Sequence, residues 1–537
     1  MYKLNRMQKS FLSVMICLLA ALQVGYSQGY TLSGIEKTDK EGMQYEILGK
    51  VADHYWIYKK NGSLSTIAQY NEKMQLVKQN DLSFLPATVQ SLEFINKGNK
   101  VFALYQFQKN TTTYFALASL NANGVVDGNP EVLDTAQNIR PGSKTKIFNV
   151  LQSEDGQKNL VFSVNTSFPA AIKVKTTSYD ANFDNANEAT ISISAANKRS
   201  SLSDFALDNQ GNLFCLRNTT QEGAAPAVSL IYMAANGKEV VESPVVNNQL
   251  LLDDIRLKID NAKGTVLLNS FYASTKKGHI EGLFTFIWGI QNKEVLLSSA
   301  NRFTDATRAM VTNKRNLKPA FDNYYLDKVS TQADGSYVLL TESAETYSNR
   351  SAFSRWDYYW GGPFYNPYMF NYWNRPFGFY PWTRFGWGGY TGFGWGLGFG
   401  WGNPFMNPYA GFGYPTVTYN ANQIALMSFD VKGNLQWVKT IDKSQSDINV
   451  DQFIGYGSFE NADGSLAILY YEKHKRQRQF VVHSLTAHGE VNKEEAIQLQ
   501  EKGLDWMPRG LKQVGDKTCI VPYQYNNKIG FAKVQIK

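Results

Sequence analysis

Histidine and cysteine are scarce in these 537 residues, at five and three. His54, His279, His474, His483 and His488 form no His-Glu-x-x-His pair, and none stands beside a cysteine. No metal site is therefore spelled out, and no catalytic or metal ligand set is expected. A Gly-x-Ser-x-Gly elbow is also missing, which removes one linear signature of a serine hydrolase. No cofactor motif is present, so none is expected. After residue 22 every apolar run is short and broken by Gly, Asn or charge, which excludes a later membrane helix. Charged residues make up 19% of the chain, with 54 Lys and Arg against 46 Asp and Glu. Without Lys3, Arg6 and Lys9 of the N-terminal segment the basic count is 51, a net of +5. That is an ordinary solvated surface, and no nucleic-acid partner is expected.

The N-terminus is the first positive feature. Lys3, Arg6 and Lys9 precede the apolar run "FLSVMICLLAAL" (11–22), and Gly25 and Ser27 stand just before Gln28. This is the layout of a cleaved export signal over residues 1–27, with the mature chain over 28–537. The run is too short to span a bilayer, and "SVMIC" lacks the small residues that precede a lipid-modified cysteine. The expected location is periplasmic, outer-membrane-associated or extracellular. Cleavage leaves only Cys215 and Cys519, too few for a disulfide framework.

A repeat runs through the mature chain. A polar turn, usually with glycine, leads into a β-rich run: "NKGNKVFALYQF" (96–107), "EDGQKNLVFSV" (154–164), "NQGNLFCLRN" (209–218) and "NAKGTVLLNSF" (261–271). It recurs in "ADGSYVLLTES" (333–343), "ADGSLAILYYE" (462–472) and "VGDKTCIVPYQ" (514–524), and "VADHYWIYKK" (51–60) is a first copy without glycine. Most anchors recur every 51 to 58 residues, as at Gly156, Gly211 and Gly264. Each copy is preceded by one alternating run and followed by two further short strands. Four antiparallel strands per unit at this period are the signature of a propeller blade. The expected fold is all-β, a single propeller of eight four-stranded blades, with seven blades or a pair of β-sandwiches as alternatives.

The two ends of the chain fit together. The last repeat has three strands after Arg509, and "YTLSGIEK" (30–37) can supply the fourth by pairing with 528–536. This resembles the closure used throughout the β-propeller superfamily, which removes the open edges of an unclosed array. Cys215 and Cys519 each lie four residues after the turn glycine, in copies four and eight. Opposite blades put them beyond bridging distance, so both are expected to be free and buried.

Propellers host hydrolases, lyases, dehydrogenases and plain scaffolds, so the fold decides no function. "FDVKGNLQWVKT" (429–440) resembles the tryptophan turn of quinoprotein blades, but only Trp437 fits. "ADGS" at 333–336 and 462–465 shares only Asp and Gly with the sialidase box. Both read as structural hairpin turns. Asp253 and Asp254 in "LLDDIRLKID" (251–260) are the densest acidic point and start an inner strand. The tip "EKHKRQRQ" (472–479) gathers Lys473, Lys475, Arg476 and Arg478, either as a solvated turn or as a contact for an anionic surface.

One segment leaves the repeat. Between strands two and three of the sixth blade, residues 348–417 hold seven of the eleven tryptophans and some two dozen aromatic rings. Its only charges after Arg350 are Arg355, Asp357, Arg375 and Arg384. Rings drive burial, and each can bury about 150–250 Å², so they are expected to pack on something. In "GFGWGLGFGWG" (392–402) a strand would put every large side chain on one face and every glycine on the other. The segment resembles Trp/Tyr/Gly/Asn/Pro-rich stretches of Gram-negative envelope proteins, a resemblance that implies location and no activity.

The expected function is a non-enzymatic envelope or secreted scaffold. It would dock a partner protein or the outer-membrane surface through Trp360, Trp373, Trp382, Trp387, Phe393, Trp395, Phe399 and Trp401. The alternative is a carbohydrate-binding or carbohydrate-active propeller in which these rings stack on a glycan. An enzyme should show carboxylates converging at one mouth of the channel, and a scaffold a plain channel. The turns between strands two and three of blades five, six and seven should share one face. There the arm would be flanked by two cationic tips, "TKKGH" (275–279) and 473–478.

Overall fold

The computed structural model describes residues 29–536 apart from some short stretches and most of the insertion. The short stretches are 40–41, 144, 168–170, 195–199, 220–226, 246–249, 276–277, 333, 449–451, 475–476, 487–488, 494–495 and 500–502. Of 349–416 only Gly392 and Phe393 are described. The expected signal segment lies outside the described residues.

The described strands form eight antiparallel sheets in chain order. Blade 1 spans residues 43–81, blade 2 91–136, blade 3 148–194 and blade 4 200–244. Blade 5 spans 251–302, blade 6 324–448, blade 7 456–498 and blade 8 505–535, the last completed by the N-terminal strands. In each blade the first strand neighbours the first strand or leading turn of an adjacent blade, as Met43–Val51 does both Ser91–Asn96 and Lys512–Gly515. The result is an eight-bladed β-propeller, and the seven-blade alternative falls.

Burial follows from this arrangement. A middle strand lies between two neighbouring blades, so both of its faces are covered. Val101–Lys109 of blade 2 begins with six consecutive buried residues, and Phe214, Cys215 and Leu216 of blade 4 are all buried. Outer strands have water along one edge, and Leu76–Asp81 of blade 1 is almost wholly exposed. Continuous apolar runs therefore mark the second and third strands, and polar runs the fourth.

The turns explain the periodic glycine. In blade 4 the Asp208 carboxylate accepts from the backbone N–H of Gln210 (3.0 Å) and Asn212 (2.7 Å). The chain then passes through Gly211 at φ +89°, a conformation that a side chain disfavours. The same five-residue device closes a hairpin of blade 6, with Asp430 accepting from Lys432 and Asn434 and Gly433 at φ +72°.

Closure uses the expected segments. Tyr30, Thr31 and Leu32 pair with Val534, Lys533 and Ala532, while Glu36 and Lys37 pair with Ile529 and Lys528. Tyr523 donates its hydroxyl to the Ser33 carbonyl at 2.7 Å, and Tyr30 meets Trp506 edge-on at 5.5 Å. The first strand of blade 8 departs from the others. It is split into Asp505–Trp506 and Lys512–Gly515 by a 3-10 turn at Pro508–Gly510.

Cys215 and Cys519 occupy the second strands of blades 4 and 8, are fully buried, and are free. Burial pushes both thiols far above their ordinary pKa, which keeps them protonated and unreactive. In the native protein neither should react with a thiol-specific disulfide reagent, and both should react after denaturation. A bridge between them in a non-reducing peptide map would overturn the blade register.

Candidate functional site: the charged inner ring and the insertion face

The inner strands are not plain. Glu46, Glu93, Asp253, Arg256, Asp327 and Lys328 all lie on first strands, and all are buried. In three of these strands a bulge falls among or beside the charges, between Ile47 and Gly49, Asp253 and Arg256, and Leu326 and Lys328. A bulge adds a residue to one strand and re-aims its side chains.

Several of these charges face opposite ones. On one side of the ring, Glu46 of blade 1 feels Lys512 of blade 8 and Glu93 of blade 2, and Glu93 is paired with Lys146. On the other, Glu154 takes Lys258 at 2.9 Å and Asn261 at 2.7 Å. Burial pushes the Lys328 ammonium down to about 8 against the opposing fields of Glu460 and Asp327. Glu460 is pushed up by burial, with Lys328 and Lys258 pulling the other way.

The tightest group joins blades 6 and 8. Glu342 pairs with Lys443 at 2.7 Å and accepts from Arg509 at 2.9 Å, with all three side chains almost fully buried. Burial alone would raise the Glu342 carboxyl, but the two cations hold it below its ordinary value. Lys443 is lowered by burial to about 8 in spite of Glu342. A carboxylate held by two cations is a poor base, so this triad positions strands rather than moving protons. Glu46 differs. Burial and Glu93 raise it well above the usual carboxylate range, and neither of its oxygens has a hydrogen-bond partner among the described residues.

The triad stands at the foot of a projection. The first strand of blade 6 begins at Tyr324, opposite Ser343. The second and third strands continue to Ser348 opposite Val417, and the fourth reaches Ile448 opposite Thr418. The overshoot is roughly 15 Å at the rise of a β-strand. It has a small core of its own in Ala344, Tyr419, Ala421 and Ile454. Gln445 ties it to blade 7, donating to the carbonyls of Gly455 (3.1 Å) and Tyr471 (2.8 Å) and accepting from Gly455 N–H (2.8 Å). The insertion is joined to the end of this three-stranded stalk at Ser348 and Val417.

Antiparallel alternation puts the 2–3 turns of blades 5, 6 and 7 on the face where first strands begin. The strand ends that flank them are Ala273 and Gly282, Ser348 and Val417, and His474 and Gln477. The expected arm residues Trp360, Trp373, Trp382, Trp387, Trp395, Phe399 and Trp401 lie outside the described residues. Of the arm, Gly392 and Phe393 form a two-residue strand paired with Glu93 and Leu92 at the edge of blade 2. At the basic tip Lys475 and Arg476 also lie outside the described residues. Lys473 and Arg478 both turn to Asp505 of blade 8, at 3.5 and 3.4 Å, and Arg478 donates to the Leu504 carbonyl at 3.0 Å. Those two cations are committed within the molecule. In blade 5, His279 is likewise taken by Asp322 at 2.6 Å.

Asp253 is buried on the inner strand of blade 5, as its place in the repeat implied. The triad and the Glu46–Lys512 pair had no local signal, since their members lie far apart in sequence. Among the described residues no group of three His, Cys, Asp or Glu is placed to hold a metal, and no helix is long and apolar enough to cross a membrane.

No protein-family model matches the chain, and no curated protein matches it. Among solved structures it is similar to the WD40 domain of SCAP from fission yeast, at 10% identity and a TM-score of 0.38. That match covers 95% of this chain and 98% of the other. It is similar to an ulvan lyase at 9% identity and a TM-score of 0.36, covering 82% and 90% of the two chains. It is also similar to an oligogalacturonate lyase in complex with manganese, at 8% and 0.37, covering 91% and 98%. No activity carries over from these likenesses.

Two substitutions test the buried polar groups. Glu342→Ala leaves Lys443 and Arg509 facing each other in the interior. It should cost about 3–5 kcal/mol of stability by chemical denaturation, and a loss below about 1 kcal/mol would remove the triad from this role. His483 is buried against Tyr470, with its imidazole lowered by burial, and then by Lys493, to about 4. Its contribution is complete above its unfolded pKa, near 6.5, and is lost as pH falls toward 4. The melting temperature of His483→Gln should therefore fall less than that of the parent between pH 6.5 and 4. Parallel curves would count against this role.

Proposed function

We propose that the protein is a non-enzymatic, exported binding propeller that docks a partner protein or the outer-membrane surface through the blade 6 insertion. The observation that carries this reading is the stalk. Three strands of one blade run past the rim, have their own small core and are fastened to blade 7, and an aromatic-saturated segment joins two of them at Ser348 and Val417. A segment that only filled a gap in the core would need no such extension. Several of the inner charges are neutralised in pairs spread over several blades rather than gathered at one mouth, which supports a scaffold over a catalytic channel. They also make the channel polar, unlike the plain one expected of a scaffold.

The test compares the mature protein with a variant lacking 350–417 in pull-downs from envelope fractions. The deletion should abolish association with the envelope while circular dichroism and the thermal midpoint stay near those of the parent. An unfolded deletion variant would make the insertion part of the core and remove the docking role. Retained association would place docking elsewhere on the molecule.

A further inference from the structure

The crossover from blade 5 to blade 6, residues 303–323, lies on the same face as the stalk. It contains the one described α-helix, Asp305–Val311, which packs against the fourth strand of blade 6. Thr304 caps the helix by accepting from Thr307 N–H at 3.1 Å. Arg308 is buried inside the crossover. Its guanidinium donates to the carbonyls of Lys318 (2.9 Å), Ile280 (2.9 Å) and Glu281 (3.0 Å). Lys314 N–H is taken by the Thr312 hydroxyl and Lys318 N–H by the Asn316 side chain, each at 3.2 Å.

The loop is therefore tied from inside while its outer rim is cationic. Lys314, Arg315 and Lys318 are exposed, and none has an ion pair or side-chain hydrogen bond among the described residues. The described cations of the blade 7 turn behave differently, since Lys473 and Arg478 share Asp505. Three charges without internal partners, held on a fastened ridge at the foot of the stalk, need little ordering to meet an anionic surface.

Resting on the reading of this face as the docking face, we propose that Lys314, Arg315 and Lys318 form a contact for an anionic, phosphate-bearing lipid surface. The aromatic composition of residues 348–417, inserted in blade 6, favours lipid over an acidic protein. Phosphates take the cations, while the headgroup–acyl boundary takes Trp and Tyr rings at the same depth. Each cation near an anionic membrane is worth about fivefold in affinity at moderate ionic strength, and the gain fades as salt screens it.

The experiment is co-sedimentation of the full mature protein with two kinds of vesicle, phosphatidylcholine alone and phosphatidylcholine with phosphatidylglycerol. Wild type should pellet with the anionic vesicles and much less with the neutral ones, and added salt should weaken the binding. The triple variant Lys314→Glu, Arg315→Glu, Lys318→Glu should lose at least about a hundredfold in affinity, three factors of about five. Lys238→Glu, an exposed lysine in a turn on the opposite face, should bind like wild type. Equal binding of wild type and the triple variant overturns the proposal, as does equal binding to both vesicles or to neither. The variant lacking 350–417 separates the two readings. If it loses binding while the triple variant keeps it, the insertion docks without these cations. If it keeps binding while the triple variant loses it, the cationic ridge stands and the insertion reading falls.

Discussion

The pairing of the first described strands with the last holds the propeller shut. Tyr30–Leu32 and Glu36–Lys37 cover the edge of Lys528–Gln535, and without them blade 8 would present a bare row of backbone donors and acceptors. Closure also determines what surrounds the channel. Lys512 faces Glu46, and Arg509 reaches Glu342, only because blade 8 is brought round between blades 7 and 1. The inner ring of charges is thus a product of closure rather than of any one blade.

That ring bears on function through its balance of sign. Several buried acids have a cation beside them, so the inner strands are polar without carrying a strong field of one sign. Buried pairs of this kind seldom add stability over apolar packing, but losing one partner is costly. They suit a role in specifying which strands meet. The Lys443–Glu342–Arg509 group illustrates this, because it fixes the foot of the stalk against blade 8 while Gln445 fixes the same strand against blade 7. Glu46 stands apart from this balance as a buried carboxyl raised by its surroundings.

The fold was legible for a local reason. A five-residue turn that needs Gly211 or Gly433 in a left-handed conformation leaves a mark at such hairpins, and covered middle strands read as unbroken apolar runs such as "VFALY". Counting those marks amounts to counting blades. The departure of blade 6 from the repeat was equally plain, because the strands on either side keep their pattern up to Tyr347 and from Thr418. The charged sites were hidden for the opposite reason. In "QWVKTIDKSQSD", Lys443 and Gln445 alternate with Asp442 and Ser444 like the solvent side of an outer strand, and only the extension against blade 7 buries them. Arg478 looked like part of a free cationic tip, yet Asp505, supplied by the next blade, occupies it. The cations at 314–318 lie in a crossover, where no repeat guides the eye.

The same seam has a consequence for the order of folding. A ribosome or a translocon delivers residues 30–37 roughly five hundred residues before their strand partners exist. Through all of synthesis the chain is an arc of finished blades with two open ends, and the closing strand must wait near the first blade without pairing to a neighbouring molecule. Its shortness helps. A three-residue and a two-residue strand, separated by the bend at Ser33–Ile35, make a poor template for strand exchange between chains, yet they close the ring once the last hairpin arrives.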